Sequence, residues 1–151
     1  LRLRKEEADS EKTDLALLLC DIDHFKSFND TWGHQTGDQV IRFVASALAK
    51  FALPDHLVAR YGGEEFAVLL PKINLGKAQA LTERLRQSLE NNPVPTSAGP
   101  LVVHASFGVY PITEQTADAA ECLQRADMAL YDAKNNGRNQ VRTWHPGLQP
   151  R

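Results

Sequence analysis

Three acidic points in the chain could do chemistry together. Asp21 and Asp23 close an apolar run, and the adjacent pair Glu64 and Glu65 follows two glycines. Hard divalent cations such as magnesium prefer carboxylate and carbonyl oxygens to nitrogen or sulfur. A carboxylate at a strand end, facing another on a neighbouring hairpin turn, could hold such ions and leave positions open for phosphate. Two ions held this way can clamp an in-line phosphoryl displacement. Gly62 and Gly63 would let backbone and substrate approach closely. A plainer reading stands beside this one: acidic residues after strands form turns, and Gly-Gly makes a tight turn. Composition and spacing leave both open.

The elements that must position these residues follow from periodicity. Leu15 to Cys20 is a six-residue apolar run, the pattern of a strand buried on both faces. Val40, Ile41, Val44, Ala47, Leu48 and Phe51 recur at helical spacing and predict a helix over 38–51, with Pro54 beyond its end. Extended segments at 57–61 and 66–71 flank Gly62-Gly63-Glu64-Glu65 and predict a hairpin. A second helix fits 75–90, and the proline-bearing segment 91–100 reads as a loop. A strand over 101–110 ends at Pro111, a third helix runs from about Thr116 to Asn135, and Gly137 supplies a left-handed stop. A short strand at 140–144 closes the series. The middle is a βαββαβ order, which predicts an α+β fold of ferredoxin-like type: a mixed central sheet with flanking helices.

Length and composition narrow the function classes. The 151 residues fit one domain, and 42% hydrophobic with 24% charged residues is ordinary globular usage, against disorder or a fibrous repeat. A net charge of -2 disfavours a generic nucleic-acid binder. Cys20 and Cys122 are too few for a disulfide framework and lack paired zinc spacing; Cys20, ending a buried strand, reads as packing. No apolar run is long enough for a bilayer. His24, His104 and His145 are scattered, and no Walker loop, HExxH, CxxC or GxSxG motif is present. The opening LRLRKEE reads as the end of an upstream helix. The expected division is therefore helix end and linker over 1–14, a catalytic domain over 15–144 and a tail over 145–151.

The string Arg60-Tyr61-Gly62-Gly63-Glu64-Glu65-Phe66 resembles the signature of the GGDEF family, the diguanylate cyclases, in its Gly-Gly-Glu-Glu-Phe variant. The resemblance extends upstream through Asp21-Ile22-Asp23-His24-Phe25-Lys26, Asn29-Asp30, Trp32-Gly33-His34 and Gly37-Asp38. Downstream it continues in Ala126-Asp127, Leu130-Tyr131-Asp132-Ala133-Lys134 and Gly137-Arg138-Asn139. Separated motifs in the family's order make it specific over about 13–142.

The resemblance implies an adenylyl-cyclase-like palm and the synthesis of cyclic di-GMP from two GTP, with release of two pyrophosphates. Asp21, Glu64 and the Ile22 carbonyl would hold magnesium or manganese, two ions per site. Glu64 would take the proton of the attacking 3′-hydroxyl, and Glu65 would assist from beside it. Asn29 and Asp38 would read guanine, Asp38 accepting from two adjacent donors that adenine does not offer. His34 would lie near the nucleotide. Phe25 and the amides around it would cradle phosphate, with Lys26, Lys134 and Arg138 as the matching cations. Lys134 and Arg138 lie one helical turn apart and would reach the outer phosphates from one face.

One GTP site per domain and a symmetric product imply a transient two-fold dimer. An upstream sensory or receiver domain, a cytoplasmic location for this domain, and no membrane or nucleic-acid contact complete the expectation. The chain departs from the family at Leu53-Pro54-Asp55-His56, where a product-inhibiting Arg-x-x-Asp usually stands, so that feedback site is expected to be missing. Arg84 could still serve a weaker secondary site. The family's usual opening Asp-x-Leu-Thr-x-Leu-x-Asn-Arg segment is also absent from this sequence. The competing reading is a degenerate GGDEF domain that binds GTP as a sensor or interaction module without turnover.

Overall fold

The computed structural model describes residues 14–52, 56–112 and 118–148. The opening helix end, Leu53 to Asp55, the expected start of the third helix at Thr116, and the last three residues lie outside these.

The first strand, β1 (Leu15–Ile22), is buried at every position. Its alternation sends Ala16, Leu18, Cys20 and Ile22 into one core and Leu15, Leu17 and Leu19 into another on the opposite face. That two-sided burial puts β1 at the centre of a five-stranded sheet. Helices α1 (Phe25–Trp32) and α2 (His34–Phe51) follow, joined at Gly33, whose φ of 89° suits glycine at the junction. β2 (Leu57–Arg60) and β3 (Glu65–Pro71) form the predicted hairpin. α3 (Leu75–Asn91) is capped by the Asn74 side chain, which accepts from the Lys77 N–H at 2.8 Å. The ribbon β4 (Val94–Thr96) and β5 (Gly99–Leu101) leads into β6 (Ala105–Ile112). α4 (Ala119–Asn135), capped by Asp118, and β7 (Val141–Thr143) end the series.

The sheet order is β2-β3-β1-β6-β7, antiparallel except for the parallel β6–β7 pair. Its first four strands have the ferredoxin-like order that βαββαβ implies, so the α+β mixed-sheet expectation holds. The larger core lies on the face carrying residues of α2 and α3, and the smaller one on the face covered by α4. Gly108 makes the second packing possible. A Cβ there would stand 2.3 Å from the Leu130 nitrogen and 2.4 Å from the Ala126 carbonyl oxygen, both in the backbone of α4.

Several expectations need correction. The 91–100 segment is not a plain loop: Gly99, with φ 98°, turns a short ribbon in which Pro95 opposes Pro100. Prolines are tolerated there because a two-stranded ribbon has free edges. β6 runs through Pro111 for a related reason: β7 pairs only as far as Val109, so at Pro111 one edge has no partner strand among the described residues. The helix predicted from 38 begins at His34, and α1 was not expected at all. Cys20 is fully buried, as expected, and burial first, then the nearby acidic side chains, pushes its thiol pKa well up. No described helix is long and apolar enough to cross a membrane.

Candidate active site

Strand register builds the acidic end. β1 pairs with β3 so that Asp21 opposes Glu65, and the next N–H along, that of Ile22, donates to the Glu64 carbonyl at 3.3 Å. On the other side Asp21 opposes Ser106 of β6. Asp21 is therefore deep, 5% exposed, although it is an acid. Burial lifts its carboxyl to about 6; the hydrogen-bonded ammonium of Lys134 pulls the other way, and the charges of Glu64 and Glu65 add to the rise. Lys134 of α4 forms an ion pair with the Asp21 carboxylate.

The turn carrying Glu64 is fixed by a residue to which sequence reading gave no role. Arg60 donates from Nε to the carbonyls of Gly62 and Gly63, at 3.2 and 3.1 Å, and from a terminal nitrogen to Gly63 at 2.7 Å. Tyr61 and Gly62 donate their N–H groups to the Glu65 carbonyl, closing the hairpin. Neither Gly62 nor Gly63 has a left-handed backbone, and a Cβ on either would meet nothing closer than 3.5 Å. The fold does not demand these glycines. They leave the face of the turn open.

Asp23 departs from its first reading as a metal-site candidate. One carboxylate oxygen accepts from the Ser106 hydroxyl at 2.6 Å and the other from the Asn139 N–H at 2.9 Å. It ties the turn after α4 to the end of β1. That turn holds three successive left-handed residues, Gly137, Arg138 and Asn139, with φ of 107°, 61° and 46°. Arg138 is thus not on the helical face of Lys134, because α4 ends at Asn135. The turn, anchored by Asp23, brings it round to the same pocket.

That pocket is lined by Asp21, Ile22, His24, Phe25, Lys26, Glu64, Lys134 and Arg138, with Asp23 and Ser27. A second pocket adjoins it, lined by Asn29, His34, Asp38, Ile41 and Arg60, with Asp30 and Gly63; Phe25, Lys26 and Glu64 border both. Together they gather every predicted site residue except Glu65, which flanks Asp21 across the strand pair. His34 and Asp38 are exposed on α2, while the Phe25 ring is buried and stacked on Phe28. His24, left-handed at φ 56°, begins α1 with no side-chain cap, so the first amides of the helix face the acidic pocket. The signal for α1 was available: Phe25 and Phe28 at i, i+3, ahead of a glycine.

No group of three or more His, Cys, Asp or Glu able to hold a metal forms among the described residues. The donor set is smaller and all oxygen: the carboxylates of Asp21 and Glu64 with the Ile22 carbonyl. Magnesium is commonly held by one or two carboxylates plus substrate phosphates rather than an all-protein cage. These residues fit that mode, beside cations suited to the phosphates.

The profile of the diguanylate cyclase GGDEF domain matches residues 1–140. The chain is 45% identical over 141 residues to the probable diguanylate cyclase DgcT of Escherichia coli, covering 92% of this chain and 31% of that protein. It is 40% identical to diguanylate cyclase A of Treponema denticola, covering 87% of this chain and 35% of that one. The chain thus spans about a third of the length of these relatives. Among solved structures, the GGDEF domain of DgcB from Caulobacter crescentus, in complex with c-di-GMP, superposes with a TM-score of 0.89 at 38% identity, covering 95% of this chain and 85% of that one. Matched by that profile over residues 1–140 and at least 40% identical to both of these relatives, the chain belongs to the GGDEF-domain family of diguanylate cyclases.

Proposed function

We propose that this domain condenses two GTP molecules into cyclic di-GMP, releasing two pyrophosphates. The observation that carries the reading is the shared border of the two pockets. Glu64, Lys26 and Phe25 separate an acidic, cation-lined cavity from one bearing Asn29, His34 and Asp38, the arrangement needed to grip a triphosphate and a base at once.

Each step falls to identified groups. Asp38 accepts from the adjacent ring and exocyclic N–H donors of guanine, and Asn29 bonds a further polar edge atom of the base. A base lacking those partners would leave polar groups unpaired. The first amides of α1, with Lys134 and Arg138, hold the phosphates. Asp21, Glu64 and the Ile22 carbonyl would bind two magnesium or manganese ions, which supply Lewis-acid activation of the attacking hydroxyl and charge neutralisation at phosphorus. Glu64 takes the proton of the 3′-hydroxyl. A bond forms from that oxygen to the α-phosphorus of the other GTP, and the bond to the β-phosphate bridging oxygen breaks. Lys26 stabilises charge that develops on the phosphoryl oxygens, and Glu65 supports the acidic end electrostatically.

Two copies of the domain, facing each other about a two-fold axis, each supply one GTP. An upstream sensory or receiver domain would set how often they meet. His56, at the acidic position of the family's feedback motif, is buried, and Arg84 is exposed on α3. We infer that tight feedback through the usual site is missing.

Mixing the protein with GTP and magnesium and separating the products by chromatography tests the reading. Cyclic di-GMP should appear at a rate that climbs with the square of protein concentration while dimers are scarce. Glu64→Gln should lower it by about a thousandfold. GTP bound but never turned over, by this chain and by the full-length protein alike, would replace the enzyme with a nucleotide-binding module.

A further inference from the structure

Asn29 and Gly37 sit on opposite sides of the α1–α2 junction, Asn29 in the last turn of α1 and Gly37 in the first turn of α2. The Gly33 N–H donates to the Asn29 carbonyl at 2.8 Å and the Gly37 N–H to the Gly33 carbonyl at 3.1 Å, so the junction is tight. Gly37 is buried and has no positive φ. A glycine in an ordinary helical conformation weakens the helix relative to alanine. Its presence calls for a steric reason, and there is one. A Cβ on Gly37 would stand 1.8 Å from Asn29 Oδ1, 2.9 Å from Asn29 Cγ and 3.2 Å from Phe25 Cζ. The carboxamide of Asn29 occupies the space a side chain at Gly37 would fill.

The same contact orients the carboxamide. Asn29 Oδ1 is buried and has no hydrogen-bond partner among the described residues; it rests where a Gly37 Cβ would stand, against the glycine's C–H groups, a contact that suits an oxygen and not an NH2 group. In a planar carboxamide the nitrogen lies on the side away from the oxygen. Asn29 lines the second pocket and Gly37 does not. Nδ2 is thereby turned from Gly37 with both of its donors.

We propose that Gly37 is a positioning residue for nucleotide selection: its missing side chain seats the Asn29 carboxamide with oxygen inward and N–H donors outward, toward an acceptor on the base. This rests on the reading of the second pocket as a guanine site. The device complements Asp38, which can only accept when ionised; one side chain of the pocket offers donors and the other acceptors. Adenine reverses part of that pattern.

Gly37→Ala, Asn29→Ala and the double variant test this through GTP and ATP affinity by calorimetry, KM and kcat for GTP, and melting temperature. In the parent background, Gly37→Ala should weaken GTP binding and raise KM about tenfold, leave kcat within about twofold, and narrow the GTP-over-ATP preference, as loss of one oriented hydrogen bond predicts. With Asn29→Ala already present, the same substitution should cost less than about twofold, since the carboxamide it displaces is gone. If Gly37→Ala alone fails to fold and the double variant folds, the steric pairing is confirmed. Equal penalties in both backgrounds, a loss confined to kcat, or failure of both variants to fold would overturn the proposal. A parent protein that binds no GTP would instead remove the guanine-site reading, and this inference with it.

Discussion

The two ends of the site are built by different means. Asp21, Ile22 and Glu64 stand where adjacent strands give out, and a run of paired residues from Leu15 opposite Pro71 to Asp21 opposite Glu65 sets their register. Asn29, His34 and Asp38 ride on α1 and the first turns of α2, and His34 and Asp38 lie open to solvent. The difference follows from what each end would do in the proposed reaction. Gathering carboxylates against their own repulsion, and burying one of them, needs a frame that does not yield. Reading a base needs side chains that solvent and nucleotide can both reach. The acidic end therefore depends on the sheet and on α4, and the base end on one helix junction.

The sharpest way to break this contrast is Gly108→Ala, which leaves every site residue in place. The new methyl would drive into the backbone of α4 at Ala126 and Leu130, which cannot yield as a flexible side chain can. Overpacking of this kind costs about 3 kcal/mol or more, which for a chain of this size lowers the melting temperature by roughly 10 °C. Because α4 carries Lys134 and leads to Arg138, the acidic end should suffer with it. In the folded fraction, KM for GTP should rise while the GTP-over-ATP preference stays near the parent's. Calorimetric melting and nucleotide competition check both parts. A variant that loses base preference as readily as affinity would mean that the two ends are not separately supported.

Asp23 tests the same contrast on a smaller scale. Asp23→Ala leaves the Ser106 hydroxyl and the Asn139 N–H without their partner, at a cost of about 1–3 kcal/mol. The left-handed run through Arg138 and Asn139 loses its anchor. The expected outcome is a KM for GTP raised about tenfold with base preference kept, measured as steady-state rates against GTP and ATP. Asp23→Asn, which can still accept one of the two hydrogen bonds, should fall between the parent and Asp23→Ala.

Much of this was legible in the sequence for a physical reason. A strand buried on both faces shows as an unbroken apolar run, so β1 and the acids at its end were visible, as was the hairpin around Gly62-Gly63. The resemblance supplied the site residues, and the pockets collect all of them but Glu65. Helix α1 escaped because eight residues carrying two buried or half-buried phenylalanines leave too short a periodic signal. The work of Asp23 and Arg60 escaped because both act on backbone groups: Asp23 meets the Asn139 N–H across 116 positions, and Arg60 bonds carbonyls two and three residues away that carry no sequence identity. Hydrogen bonds to backbone leave no mark in residue pattern. The ribbon at 94–101 escaped because prolines argue against strands, yet only one edge of each strand has to pair.

The smallest expected effect concerns protons at the acidic end. Asp21 has its carboxyl raised from the usual 3.8 to about 6, chiefly by burial. A carboxyl raised on folding binds protons more tightly in the folded chain than in the unfolded one. Its contribution favours folding below about pH 3.8 and is lost as pH rises through about 6. A divalent cation needs the ionised carboxylate, so magnesium at the proposed site would compete with the proton for this group. Stabilisation by magnesium should be full above pH 7 and shrink below 6, with apparent affinity falling about tenfold for each unit below the midpoint. Melting curves with and without magnesium at pH 5 and 7.5 would show the larger rise at the higher pH, by a few degrees. The base end, whose pocket takes no part in this competition, should show no matching change. Lys134→Met sharpens the point: it removes the ammonium whose hydrogen bond and charge pull the Asp21 carboxyl down, so the magnesium midpoint should move to higher pH. An unmoved midpoint would mean that the Lys134 ion pair does not govern how this carboxylate is charged.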